Sequence, residues 1–205
     1  MAAIPVIVFS DYVCPWCFMA KSGLDTLRET YELLVDWKAF ELRPKGSPPI
    51  SPAYRAQILE GWPRMSQIAR ERFNVEIKHP GLKNPGDSFL AHVGARFAMR
   101  AGRGEAYHKA IFQTHWQTEE DIANPEVLVK IAKDIGLDEG AFGMALEDPN
   151  LHAEVEADGK WARENGLDGV PAFIFGNRYL VSGAQPVEML RQVADRCIKE
   201  GLVEI

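Results

Sequence analysis

The stretch Ile4-Pro5-Val6-Ile7-Val8-Phe9-Ser10-Asp11-Tyr12-Val13-Cys14-Pro15-Trp16-Cys17 decides how the chain is read. Its apolar, β-branched run up to Phe9 predicts a strand, and beyond it Leu24, Leu27, Tyr31 and Leu34 recur at helical spacing. Two cysteines therefore sit where a helix opens. The first turn of a helix carries N–H groups without intrahelical acceptors and roughly half a positive charge. A sulfur at the cap position can accept those bonds. Pro15 suits the first helical position, because its φ is preset and its missing N–H has no partner there. The N–H groups of Trp16 and Cys17 are expected to point at Cys14 and to favour its thiolate, the nucleophilic form. The spacing puts both Cβ atoms on one helix face, within reach of a disulfide. Cys14 is the expected attacker and Cys17 the resolver.

Such a pair serves in redox dithiols, in zinc sites and as buried structural cysteines. Zinc takes four ligands. The only other cysteine is Cys197, and His79, His92, His108, His115 and His152 form no pair at metal-ligand spacing. The strand before and helix after favour the redox dithiol and no metal, with the structural pair as the alternative. Cys197 is expected in the core, since buried cysteines behave as small hydrophobes.

With 205 residues, 46% hydrophobic and 25% charged, the chain can build a large core. A net charge of −6 without a dense basic block argues against nucleic acid and anionic membrane as partners. The N-terminal apolar run lacks a positive n-region and a small-residue cleavage site, and it is too short to span a bilayer. The expected location is cytoplasmic. In a reducing compartment a lone dithiol reads as catalytic rather than as a structural staple.

After a first helix to about Tyr31, the run Val35 to Leu42 suits a buried strand, and strand, helix, strand favours parallel pairing. Four prolines between Arg43 and Pro52 then mark an exit from the sheet. Helical patterns follow over Ala53–Phe73, interrupted near Gly61-Trp62-Pro63, then Ser88–Ala101, Glu105–Trp116, Pro125–Ile135, Glu139–Leu146 and Asn150–Asn165. Asn124 and Asp148 are expected N-caps before Pro125 and Pro149. Strands return over Gly169–Phe175 and Arg178–Ser182, with Gly176-Asn177 as the hairpin turn, and a last helix covers Pro186–Lys199. The fold class is α/β, ordered βαβ, helical insertion, ββα. Residues 1–44 and 167–205 form one expected domain and residues 45–166 the inserted one.

These residues carry a resemblance. Phe9 through Cys17, the proline-rich segment, the long helical insert and Gly169-Val170-Pro171-Ala172-Phe173 resemble the DsbA family of the thioredoxin superfamily, and within it the FrnE-like branch. The resemblance implies a thioredoxin-like fold over essentially the whole chain and disulfide oxidoreductase activity. It also implies a cis bond before Pro171, which would face the dithiol. A proline there removes a strand-edge N–H and leaves the Val170 backbone free to pair with an extended substrate. Pro15, Trp16 and Val170 are the candidate substrate-binding residues, Trp16 as an exposed apolar platform. No cofactor is expected beyond the dithiol, with glutathione as a candidate reductant or substrate. Partners are protein or small-molecule thiols and disulfides. The best-known periplasmic members have histidine where Trp16 stands. Without that imidazolium, Cys14 relies on the helix terminus, and the pair is expected to be less oxidising.

Asp11 and Glu41 lie near strand ends on the dithiol side of the sheet, where a carboxylate could relay a proton to or from Cys17. As solvated surface acids they would do nothing of the kind, and that is the plainer expectation. His92, on an insert helix beside Phe89 and Val93, could face the active site, but a satisfied core histidine is the plainer expectation. Two other functions compete with the oxidoreductase. Kappa-class glutathione transferases and hydroxychromene-carboxylate isomerases share the architecture but typically have serine at the position of Cys14. A dithiol-independent holdase would use the groove between sheet and insert.

Overall fold

The computed structural model describes residues 3–78 and 87–204. Strand β1 (Ile4–Ser10) leads into helix α1 (Pro15–Arg28) and strand β2 (Leu33–Ala39). Helices α2 (Pro52–Phe73), α3 (Phe89–Arg100), α4 (Gly104–Gln113), α5 (Pro125–Asp134), α6 (Glu139–Ala145) and α7 (Pro149–Glu164) follow. The chain then returns through β3 (Ala172–Phe175), β4 (Tyr179–Ser182) and α8 (Val187–Lys199). The sheet order is β2-β1-β3-β4, with β1 parallel to β2 and the other pairs antiparallel. This is a thioredoxin-like α/β fold with helices inserted between β2 and β3. The single parallel pair is the one joined through a helix, as the crossover requires.

Period-two alternation sends the strands' side chains to two cores. Ile4, Val6, Val8, Phe173 and Phe175 pack with Leu24 and Leu27 of α1 and with Leu190, Ala194 and Cys197 of α8. Phe9, Phe40 and Ala172 take the other face with Ala162 and Leu167, and Phe9 stacks on Trp161 of α7. The largest cluster joins Tyr12, Cys14, Cys17, Phe18 and Met19 to Ala91, Ile111, Phe112, Leu128 and Phe142 of the insertion. The dithiol thus lies on the seam between sheet and insert. Gly94 permits that seam: a Cβ there would run into the Tyr107 hydroxyl and, at 2.6 Å, the Phe142 ring.

Several boundaries differ from those expected. The second strand spans Leu33–Ala39 rather than Val35–Leu42, because its partner β1 begins at Ile4 opposite Leu33 and ends at Ser10 opposite Ala39. The first helix stops at Arg28, three residues short of Tyr31. Helix α2 runs unbroken through Pro63. Leu59, whose carbonyl loses its donor to that proline, is exposed. The helix expected to reach Trp116 ends at Gln113 and passes into a π-helical turn over Thr114–Thr118. Asn124 and Asp148 cap α5 and α7 as expected, each accepting the N–H two residues on. Gly176 and Asn177 turn the hairpin with φ of 57° and 55°, the left-handed pair that a tight hairpin needs.

Candidate active site

Residues 11–14 carry the chain from the end of β1 into α1. Cys14 is the N-cap, with φ −92° and ψ 114°, and Pro15 is the first helical residue. The Cys14 carbonyl accepts the N–H groups of Cys17 (3.1 Å) and Phe18 (3.3 Å). Its sulfur makes no capping bond. The thiol instead donates to the carbonyl oxygen of Val170, 3.7 Å away. The expected N–H···S cap is therefore corrected. A neutral thiol has a proton to donate and is a poor acceptor, so an opposed carbonyl suits it better than a helix N–H.

The Val170–Pro171 bond is cis, and Pro171 is buried. Cys14, Cys17, Val170 and Pro171 thus meet where α1 begins and β3 approaches. The Val170 carbonyl is not free in this arrangement, since the Cys14 thiol occupies it. Pro15 is half-buried and Trp16 is 36% exposed at the rim. All three cysteines are free thiols, and all are buried. Burial, reinforced by Cys14, pushes the Cys17 thiol well up; the Asp11 N–H, 3.5 Å from the sulfur, and the Ser10 hydroxyl pull the other way. Cys17 is thus held as a thiol that needs help to ionise.

Asp11 is not a solvated acid. It has no exposed surface, and its two carboxylate oxygens accept the N–H groups of Val13 (3.3 Å) and Leu42 (2.7 Å). Those bonds compensate its burial and tie the dithiol turn to the end of β2. Glu41 is half-buried, and burial pushes its carboxyl up, opposed by His92. His92 is buried but not satisfied: its Nε2 makes no hydrogen bond among the described residues and lies 3.6 Å from Oδ1 of Asp11. Its ring lies against Tyr12, centroids 4.7 Å apart.

Sequence reasoning passed over Tyr12, which anchors the turn. Its hydroxyl is 2.6 Å from Nδ1 of His108, and its carbonyl accepts the Trp116 indole N–H at 2.9 Å. Burial drives His108 down to about 3 and His115 to about 4, so both are neutral at ordinary pH. Nearby, Arg96 pairs with Asp158, whose carboxylate also accepts the Ala39 N–H at 2.8 Å. The one available signal was the placement of His92, His108 and His115 beside apolar helix positions. His79 lies outside the described residues. Among those described, no three His, Cys, Asp or Glu side chains are grouped to hold a metal, and no helix is long and apolar enough to cross a membrane.

Three comparisons bear on this geometry. The uncharacterized protein YwbO of Bacillus subtilis (strain 168) is 31% identical over 190 residues, covering 88% of this chain and 91% of that protein. The crystal structure of a probable DsbA oxidoreductase from Streptomyces coelicolor superposes with a TM-score of 0.81 at 26% identity, over 96% of this chain and 91% of that one. A 2-hydroxychromene-2-carboxylate isomerase has the same fold, with a TM-score of 0.80 at 18% identity, over 96% and 97% of the two chains. The DSBA-like thioredoxin domain matches residues 5–194. The chain therefore belongs to the DSBA-like thioredoxin domain family, whose members are oxidoreductases or isomerases.

Proposed function

We propose that this protein is a thiol–disulfide oxidoreductase whose working pair is Cys14 and Cys17. The observation that carries the reading is the free Cys14 thiol at the N-cap of α1, facing the Val170 carbonyl, with the buried Cys17 thiol behind it. As a thiolate, Cys14 attacks one sulfur of a substrate disulfide; that S–S bond breaks and one substrate thiolate leaves. Cys17 then attacks Cys14 of the mixed disulfide and releases the second thiol. The reverse sequence oxidises a substrate dithiol.

Val170 and Pro171 form the wall opposite the attacking sulfur. An extended substrate displaces the Cys14 thiol from the Val170 carbonyl and pairs there, where Pro171 has no competing N–H. Pro15 and the exposed Trp16 ring supply the apolar rim. We assign substrates to protein or small-molecule thiols and disulfides, turnover of the pair to a cellular thiol such as glutathione, and the location to the cytoplasm. The dithiol is itself the redox centre. A complete pair also favours this reading over the isomerase chemistry of the neighbour with the same fold.

The test is trapping from cell extract. Cys17→Ser should accumulate mixed disulfides through Cys14, and Cys14→Ser should trap none. The reading fails if Cys17→Ser captures nothing, or if isomerisation of a small aromatic substrate survives loss of both cysteines. Suppression of aggregation that is indifferent to both replacements would point to the holdase instead.

A further inference from the structure

Behind the dithiol turn lies a cavity that the reaction above does not use. Ser10, Tyr12, His92, Ala95, Arg96 and His108 are among the residues lining it, and it leaves about 10 Å³ for the centre of a water molecule. Both imidazoles are buried, and each carries an Nε2 without a hydrogen-bond partner among the described residues. Small cavities with apolar walls stay dry, whereas orphaned polar groups in a wall hold a water that typically makes about three bonds. Arg96 is already taken up by Asp158.

The neighbours of each group set the direction of its bond. Burial raises the Tyr12 phenol and keeps the His108 ring neutral. The Tyr12 hydroxyl therefore donates to Nδ1 of His108, 2.6 Å away, and the ring proton of His108 sits on Nε2. In His92, the Asp11 oxygen 3.6 Å from Nε2 favours a proton on that nitrogen. Two N–H donors thus share one cavity. On its other side the buried Ser10 hydroxyl bonds to the Cys17 sulfur and favours the thiolate, so it donates there and has lone pairs to offer. A water can accept from two donors and give to a third group, which closes this set.

We propose that the cavity binds one internal water, which accepts the Nε2–H groups of His92 and His108 and donates to the Ser10 hydroxyl, aiming that hydroxyl at the Cys17 sulfur. Ser10 is then a catalytic residue of the resolving step, and the two histidines are positioning residues. The inference rests on the thiol–disulfide reading. In the step concerned, Cys14 is bonded to a substrate sulfur. Cys17 gives its proton to solvent, its sulfur bonds to that of Cys14, the Cys14–substrate bond breaks, and the substrate thiolate leaves and takes up a proton. Ser10 joins the Asp11 backbone N–H, 3.5 Å from the sulfur, as a donor to the Cys17 thiolate before it attacks. Hydrogen bonds in a chain polarise one another, so the water and its two imidazoles strengthen the last bond to sulfur.

A high-resolution crystal structure of the reduced protein should show an ordered water about 2.7–3.2 Å from both Nε2 atoms and from the Ser10 Oγ. A dry cavity overturns the inference. For the kinetics, the reduced protein is mixed with a chromogenic aromatic disulfide, which releases one thiolate as Cys14 is captured and another as Cys17 resolves. In Ser10→Ala the ratio of the second rate constant to the first should fall about tenfold, the loss of one bond to a charged sulfur. Ala95→Val, whose added methyls enter the cavity from α3, should lower the same ratio, and the two changes together should lower it no further than Ser10→Ala alone. An unchanged ratio in Ser10→Ala, or losses that multiply, overturns the inference. If Ala95→Val does not fold, nitrogen chemical shifts of the two rings at about pH 8 decide in its place: both must report a proton on Nε2, and a bare Nε2 on either ring overturns the inference. Loss of the first phase in the unaltered protein would sink the thiol–disulfide reading instead.

Discussion

Two seams of this molecule are built on opposite principles. Where α1 and α8 cover the sheet, the contact is apolar throughout: Ile4, Val6, Val8, Leu24, Phe173, Phe175 and Leu190 are buried there. Where the insertion meets the dithiol turn, Asp11, Tyr12, His92, Arg96, His108 and His115 are buried among the hydrophobes. The first seam draws its stability from buried apolar area. The second must satisfy each polar group individually, and it leaves His92 Nε2, His108 Nε2 and the Tyr107 hydroxyl without partners among the described residues. Hydrophobic area makes the frame, and the incompletely satisfied seam is where reactivity can be tuned.

The contrast can be broken from the apolar side first. Phe173→Ala should destabilise the fold by about 3–5 kcal/mol, as expected for deleting a fully buried aromatic ring. Chemical denaturation measures it, and a loss under about 1 kcal/mol would mean that the sheet face is not the stabilising seam.

The polar seam should show itself through pH. Burial depresses His108 to about 3 and His115 to about 4, whereas an unfolded histidine titrates near 6.5. Below about pH 6.5 the unfolded chain binds protons that the folded one refuses, so stability falls on acidification. The fall continues until pH reaches about 4 for His115 and about 3 for His108. Each group contributes a slope of up to about 1.4 kcal/mol per pH unit inside its window. Melting curves of His115→Gln between about pH 6.5 and 4 should lose part of that slope, while Phe173→Ala should keep it. Equal slopes in His115→Gln and the unaltered protein would show that the seam does not hold this imidazole neutral.

The smallest effect belongs to the surface. Lys133 and Glu139 pair at 2.8 Å, but both side chains are more than half exposed. Lys133→Ala should cause at most a marginal loss of stability and no measurable change in dithiol reactivity. A larger loss by denaturation would extend the polar seam's influence to the outside of the insertion.

The dithiol, the alternating strands and the Gly176-Asn177 turn were legible because each is a local pattern whose meaning depends on neighbouring residues, whereas the cis bond before Pro171 was expected only from the family resemblance. Strand and helix periodicity report which side of an element faces a core, and they do so without knowing what that core contains. The fate of Asp11 was not legible in this way. A carboxylate after a strand reads as solvated until Leu42 and His92, 31 and 81 positions further along, are known to close over it. The direction of the Cys14 sulfur was hidden for the same reason, because its acceptor is the carbonyl of Val170.

What the amino-acid order determined by itself was therefore the βαβ opening, the helical insert, the ββα return and the two sulfurs at a helix start. Tertiary packing alone decided which polar groups those sulfurs meet. Short-range periodicity follows from backbone geometry within a few residues, whereas the environment of a buried charge is summed over everything that excludes water from it. Here that exclusion comes from helices lying far along the chain from the dithiol.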